Sequence, residues 1–432
     1  MTVPVTAKMP FLLALLLVLA PSLARGQATL SDYLAWAERH DPSLAAMTHD
    51  LDRLESEARR AGSLPDFRLG YSEMLVPVET RVGPQQRALS LAQSVPWFGT
   101  LGWQRQVVLD RRTAAEFRLQ ERTLELHQEV RNLWYSLGRR QQEQALLREQ
   151  LDLATQQTQV VEAGYQVGDD QFSGLVAARN EVDRLNNRLA ESRDHADRLA
   201  RDLALLTGAP EDTAPPVADL EPLDIPDLGR DALLARLESG HPALKAEDWA
   251  VEAARSAERV AGKSSLPTIT LGLDYIMTGE ARNPGTPDSG QDPVIARVGL
   301  SLPLWSGRAH AEKMTAASAV SLAASRREQV RLKLERRLED AGFAERSARR
   351  TLDLYDTSLL PRARQELEVA RAAYVAGSTS HAGWIASQRH LLDLELARLQ
   401  AHYSLCRARN EIWTLLAGTD HLPLRPRQEK TP

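Results

Sequence analysis

The chain carries one set of landmarks twice, in the same order. Ala61-Gly62-Ser63-Leu64-Pro65 leads to Leu69-Gly70, and Ala261-Gly262-Lys263-Ser264-Ser265-Leu266-Pro267 leads to Leu271-Gly272. His40-Asp41-Pro42-Ser43-Leu44 answers to Gly240-His241-Pro242-Ala243-Leu244, and Pro96-Trp97-Phe98-Gly99 to Pro303-Leu304-Trp305-Ser306-Gly307. Tyr165-Gln166-Val167-Gly168 answers to Tyr374-Val375-Ala376-Gly377, and Leu206-Thr207-Gly208 to Leu416-Ala417-Gly418. Five landmarks in one order require two halves that fold alike and pack about a pseudo-twofold relation. Neither half reads as a separate enzyme domain.

Residues 1–26 read as a secretory signal. Lys8 supplies the positive start, Phe11 to Ala20 is an unbroken apolar run too short to span a bilayer, and Ala24-Arg25-Gly26 offers small residues for cleavage. Cleavage there leaves Gln27 first and moves the net charge from −5 to about −7. The one cysteine, Cys406, has no internal disulfide partner and sits in a helical pattern that suits a packed thiol. The chain is 26% charged, and no later apolar run is long enough for a transmembrane helix. Mild acidity argues against nucleic acid as a partner.

Between these ends the hydrophobic period changes twice per half. Leu34, Ala37, Leu44 and Leu51 share a helix face over Leu30 to Ala61, interrupted at Asp41-Pro42. From Asp66 to Ser72, Phe67, Leu69 and Tyr71 alternate with Arg68, Gly70 and Ser72, the pattern of a strand with one apolar face. Leu75 to Gln86, with Pro77, Gly83 and Pro84, reads as a loop. A second strand follows, with Leu89 and Leu91 against Ser90 and Ala92. In the second half, Ile269, Leu271, Leu273 and Tyr275 form one strand. Gly279 to Pro293 is a loop, and Ala296, Val298, Leu300 and Leu302 form the other strand. These strands have about the ~9–11 residues that a tilted strand needs to cross a bilayer, and two-faced strands suit lipid on one side and water on the other.

Long helices follow each hairpin. Gly102 to Tyr165 holds no proline, so one helix of roughly 95 Å is expected at ~1.5 Å per residue. Its copy runs from about Arg308 to Tyr374, with a kink at Pro361. Helices of this length need partners. Leu119, Leu124, Leu126, Val130 and Leu133 mark one seam, and Leu352, Leu359 and Leu360 belong to another. Return helices span Ser173 to Leu206 and Ala382 to Leu416. Modest seams beside broad charged faces fit a wall of helices around water.

The sequence of parts (signal, helix, hairpin, long helix, Tyr-x-x-Gly turn, return helix, then all again) resembles the TolC-like outer-membrane efflux proteins over essentially the whole mature chain. The Pro96-Trp97-Phe98-Gly99 junction after Gln93-Ser94-Val95 is similar to that of the heavy-metal efflux branch. The resemblance implies a mainly α fold with a membrane β-barrel. Four strands per chain would close a twelve-stranded barrel as a homotrimer in the outer membrane, and the long coiled-coil-like helices would form a periplasmic tube. It implies an exit duct without catalysis or cofactor, whose partners are outer-membrane lipid, a periplasmic adaptor and an inner-membrane pump. Metal cations, drugs and polypeptides are all conceivable cargo.

By the same resemblance the tips, Tyr165 to Phe172 and Tyr374 to His381, form the narrow end that meets the adaptor. Gly168 and Gly377 suit left-handed turns. Tyr165 and Tyr374 read more readily as braces between helices than as direct contacts. Asp169 and Asp170 would add negative charge at the entrance, or else are plain solvated turn residues. The second tip offers Ser378 and His381, a lone histidine more readily solvated than metal-bound. Some relatives carry acidic residues just inside the second return helix, where this chain has Gly383-Trp384-Ile385-Ala386. Trp97, Phe98 and Trp305 sit where strands would leave the membrane, as an interfacial belt or as core aromatics.

The expected organisation is a signal at 1–26, a first repeat at 27–208, a linker at 209–228, a second repeat at 229–418 and a tail at 419–432. Gly262-Lys263-Ser264 does not make a phosphate loop: position 257 is Ala257, and the stretch precedes a strand. No metalloprotease, hydrolase, cysteine-cluster or dinucleotide motif is present, and no metal ligand set is expected. The rival reading is a soluble periplasmic coiled-coil scaffold, which leaves the paired hairpins unexplained.

Overall fold

The computed structural model describes residues 28–167, 172–210, 213 and 216–416. The segments expected to be a secretory signal (1–26) and a tail (419–432) lie outside them. Each repeat opens with two helices, broken where a proline cannot continue the first: α1 (Leu30–His40) and α2 (Pro42–Ala61), then α5 (Arg230–Gly240) and α6 (Pro242–Gly262). The break is capped in both. Asp41 accepts from the amides of Ser43 and Leu44 at 2.7 and 3.0 Å, and the His241 Nδ1 accepts from Ala243 at 3.2 Å. The positions correspond, but the chemistry has diverged.

The strands β1 (Arg68–Thr80), β2 (Gly83–Val95), β3 (Thr268–Thr278) and β4 (Val294–Ser301) make one antiparallel sheet in the order β1-β2-β3-β4. The two repeats join at β2 and β3. The register puts Leu69, Leu91, Leu273 and Ala296 in one row, and Tyr71, Leu89, Tyr275 and Val294 in the next. The opposite face holds Gly70, Ser90 and Asp274, with Asp274 paired to Arg297 at 2.5 Å. The apolar face is bare in the single chain: Leu69 is 77% and Val298 72% exposed.

The loop expected over Leu75 to Gln86 is mostly strand. β1 continues through Pro77 and β2 begins at Gly83, leaving only Arg81 and Val82 between them. The pairing slips between Glu73 and Val78, and Pro77 lies in that irregularity on an edge strand, where a missing N–H is tolerated. The β3–β4 loop folds back on this hairpin. Gly279 and Gly290 donate to the carbonyls of Pro84 and Val82, each at 2.8 Å, and the Arg282 amide donates to Glu79 at 3.0 Å.

α3 (Thr100–Val167) and α4 (Phe172–Thr207) form the first helical hairpin. The second is α7 (Ser306–Leu354), one π turn (Tyr355–Leu359), α8 (Leu360–Val375) and α9 (His381–Leu416). α6 lies against both α3 and α7. The main core gathers Tyr33, Leu44, Leu126, Val130, Trp134, Leu203 and Cys406 from both repeats. Of the anticipated seam, Leu124, Leu126 and Val130 are buried, as is Leu360 in the second hairpin. Cys406 is fully buried, and burial pushes its thiol up to about 12, so it is a packing residue. No helix among the described residues is long and apolar enough to cross a membrane.

The inter-repeat segment is tied to the core. Trp134 Nε1 donates to Asp219 at 2.8 Å, and Gln141 accepts from the Ala218 amide at 2.9 Å. Gly138 permits the approach: a Cβ there would stand 2.8 Å from the Ala218 carbonyl oxygen. Asn410, in the C-terminal part of α9, donates to the Gln128 carbonyl and to Asn132 at 3.2 and 3.1 Å, fixing the second return helix on α3.

The capping histidine makes stability depend on acidity. Burial, and secondarily the Arg337 charge, push the His241 imidazole down to about 4 from 6.5. As pH falls below 6.5 the unfolded chain takes a proton that the folded chain refuses, so stability is lost progressively until about pH 4, by about 3 kcal/mol at most. His241→Asn keeps a capping acceptor and is expected to flatten the fall of the thermal midpoint across that window.

Candidate functional site

Two regions have geometry beyond structural need: the hairpin tips and the ends of the sheet. At the second tip, α8 ends in a left-handed glycine. Gly377 has φ +71, its N–H returns to Tyr374 at 2.9 Å, and the Ser378 N–H returns to Ala373 at 2.9 Å. This paired closure is the Schellman arrangement, which a β-carbon at Gly377 would strain. The Ser378 hydroxyl also donates to the Ala373 carbonyl at 2.9 Å, so it serves the turn.

The tip tyrosines pack in equivalent ways. Tyr165 meets Phe172 with centroids 5.8 Å apart, and Tyr374 meets His381 at 5.4 Å. In each repeat the partner stands seven residues on, at the first position of the return helix. Tyr374 also stacks on Trp384 at 5.3 Å. The tyrosines therefore brace the ends of antiparallel helices. His381 departs from the solvated turn residue expected: it is 3% exposed, enclosed by Tyr374 and Trp384. The side chain that starts α9 faces the partner helix, and the ring fills the place that Phe172 fills in the first tip. Gly168, Asp169 and Asp170 lie outside the described residues.

Above the tips the hairpins are joined by a shared carboxylate. Glu181 on α4 is buried and accepts from Arg184 on its own helix and from Arg389 Nε on α9, the latter at 2.5 Å. Burial opposes its charge, but the two guanidinium groups prevail and hold its carboxyl below the usual carboxylate range. Sequence reading missed this joint, because charge spacing along one helix does not reveal partners on another. The brace partners could have been found, since the duplication places Phe172 and His381 at one offset from their tyrosines.

At the other end, Trp97 is half-buried, with its ring 5.8 Å from Phe98. Phe98 is exposed and Trp305 is 85% exposed, so neither is a core aromatic of the protomer. Leu302 and Leu304 beside Trp305 are exposed as well. Among the described residues no cluster of three or more His, Cys, Asp or Glu is placed to hold a metal ion.

Trp384 tests the brace. Trp384→Ala removes two ring contacts and is expected to cost about 1–2 kcal/mol locally. Limited proteolysis of the purified protein should then cut within 374–385 roughly tenfold faster, with the first tip unchanged.

The same architecture occurs in solved structures. CusC aligns with TM-score 0.75 at 16% identity, covering 90% of this chain and 92% of that one. VceC of Vibrio cholerae aligns at 0.74 and 18% identity, covering 90% and 96%. The open state of the Neisseria gonorrhoeae MtrE channel aligns at 0.73 and 15% identity, covering 90% and 89%. No curated protein sequence matches the chain. The sequence profile described as outer membrane efflux protein matches residues 34–209 and 233–418, one match for each repeat, and the chain belongs to that family.

Proposed function

We propose that three copies of this chain assemble into the exit duct of a tripartite efflux machine. The carrying observation is the sheet. Its four strands have an exposed apolar face and two unpaired edges, β1 and β4. Hydrocarbon does not tolerate open edges, so strands from other copies must pair with them. Asp274 and Arg297 on the opposite face then look into water. Trp97, Phe98 and Trp305 fit the periplasmic membrane boundary.

The helices support the same assembly. Met314, Leu322, Leu332, Phe343 and Leu354 on α7 are exposed in the single chain, Phe343 by 64%. Leu332, Phe343 and Leu354 recur every eleventh residue, a period that keeps them on one stripe with a slight right-handed drift. A neighbouring copy is the occupant that continues the tube from the barrel to the tips. The tips are then the docking end for a periplasmic adaptor, which links the duct to an inner-membrane pump. Tyr165, Tyr374 and His381 brace that end, and Gly377 and Ser378 form the turn of the second tip. No bond is made or broken in this reading.

Detergent extraction of the outer-membrane fraction followed by light scattering is the direct test. A mass of three chains is expected, with Phe343→Asp shifting it to one. A single chain in the soluble periplasm would restore the scaffold reading. The docking role is tested separately. Gly377→Pro and Gly168→Pro are expected to abolish efflux-dependent resistance while leaving membrane insertion and the trimer intact. Resistance at the native level in both variants would refute it.

A further inference from the structure

The face of the sheet opposite the apolar one is lined by small residues, and the charges on it are unequal. From the row Ser94–Thr270–Gly299 to the row Ser72–Ala88–Ile276 it carries only small, hydroxyl and aliphatic side chains, with three exceptions: Arg68, Asp274 and Arg297. The register puts both arginines in one row, Arg68–Ala92–Gly272–Arg297, at its two ends. Ala92 and Gly272 between them are too short to shield either guanidinium. Arg297 is 68% exposed and pairs with Asp274 of the next row. Arg68 is exposed and, among the described residues, makes no ion pair. Two guanidinium groups therefore stand against one carboxylate. The pairs further out, Arg87–Glu73, Arg81–Asp288 and Arg282–Glu79, are balanced.

Duplication does not account for the arginines. By the Leu-Gly landmark, Arg68 answers to Thr270; counted back from Pro96 and Pro303, Arg297 answers to Ser90. Each stands where the other repeat has a hydroxyl residue, and each lies on an edge strand of the sheet. The row has acquired its two charges separately, one from each repeat.

Closure by three copies gives the row a shape. Twelve strands about 4.8 Å apart and tilted by about 40° make a backbone ring roughly 24 Å across. A row crosses tilted strands obliquely, so its two ends differ in height by roughly 9 Å. Threefold symmetry then makes one ring of three Arg68 and, displaced along the axis, another of three Arg297. The axis lies roughly 12 Å from the backbone, and side chains that reach inward bring their charge within about one Debye length of it, ~8 Å at physiological salt. Guanidinium stays charged at any physiological pH and offers paired donors to carboxylate and phosphate oxygens. Rings of such side chains select anions in pores.

We propose that Arg68 and Arg297 make the barrel an anion-attracting section of the duct, which favours organic anions carrying carboxylate or phosphate groups over cations of similar size. Arg68 supplies the unbalanced charge, and Arg297, held by Asp274, supplies the second ring. This rests on the duct reading and on closure by three copies.

The purified trimer in planar bilayers tests the section, through the reversal potential across a potassium chloride gradient. At about 0.1 M salt, Arg68→Gln is expected to lower the chloride-to-potassium permeability ratio about threefold and Arg68→Glu about tenfold, while Arg68→Lys keeps the native ratio. The differences should shrink at 1 M salt, where the Debye length is about 3 Å. Citrate should reduce the native current severalfold and leave that of Arg68→Gln unblocked. Native selectivity and native citrate block in Arg68→Gln would overturn the proposal. An equal fall in Arg87→Gln, on the lipid-facing side, would overturn it too, because the effect would then not belong to the lumen. Should Arg68→Gln fail to assemble by light scattering, Arg68→Thr, which restores the residue of the other repeat, decides by the same two readings. Lack of conductance in every form would instead overturn the duct.

Discussion

An unpaired strand edge is the constraint on which the rest depends. Four strands with an apolar face bare to the outside are too few to close on themselves, and their edge amides and carbonyls have no partner in lipid. The sheet therefore fixes the assembly, and the assembly explains the helices. Copies arranged round an axis by their strands bring their long helices into a ring, and the proposed assembly covers the bare apolar positions of α7 with a neighbour. The broad charged faces, costly in a dry bundle, are then wetted on both sides of the wall.

Duplication supplies the frame and divergence supplies the differences. The same break precedes the same second helix in each half, but Asp41 caps one and His241 the other. The same tyrosine braces each tip, against Phe172 in one and His381 in the other. The halves are held together by side chains with no counterpart across the repeat. Asn410 grips α3, and the Glu181 carboxylate is shared between α4 and α9. Each such joint is local, so one hairpin can change while the other keeps its packing.

Much of the fold was legible because duplication allowed each half to check the other. The clean alternation from Thr268 to Tyr275 lends weight to the weaker one at Phe67 to Tyr71, and Gly377 was readable as a left-handed turn before its φ was known. What was hidden was hidden for physical reasons. Pro77 made the outer part of β1 resemble a loop, because a slipped register breaks the alternation that identifies a strand. Pro361 announced a bend, but the one extra residue that the π turn before it absorbs appears only when distances between landmarks are compared. His381 looked solvated because its burial depends on Trp384 and Tyr374, whose rings close round it only in three dimensions. Glu181 and Arg389 lie in different repeats, and one sequence does not pair them.

The latch between the β3–β4 loop and the β1–β2 turn has a consequence for flow. Two backbone bonds at 2.8 Å and the Arg282–Glu79 contact tie the outer ends of the two β-hairpins into one piece. A tube is a set of resistances in series, and throughput is set by the section whose bore changes. A stiff outer rim contributes a constant resistance and leaves the far end as the variable one. On the proposed reading, in which a periplasmic adaptor docks at the tips, leakage through the pore is governed from within the periplasm.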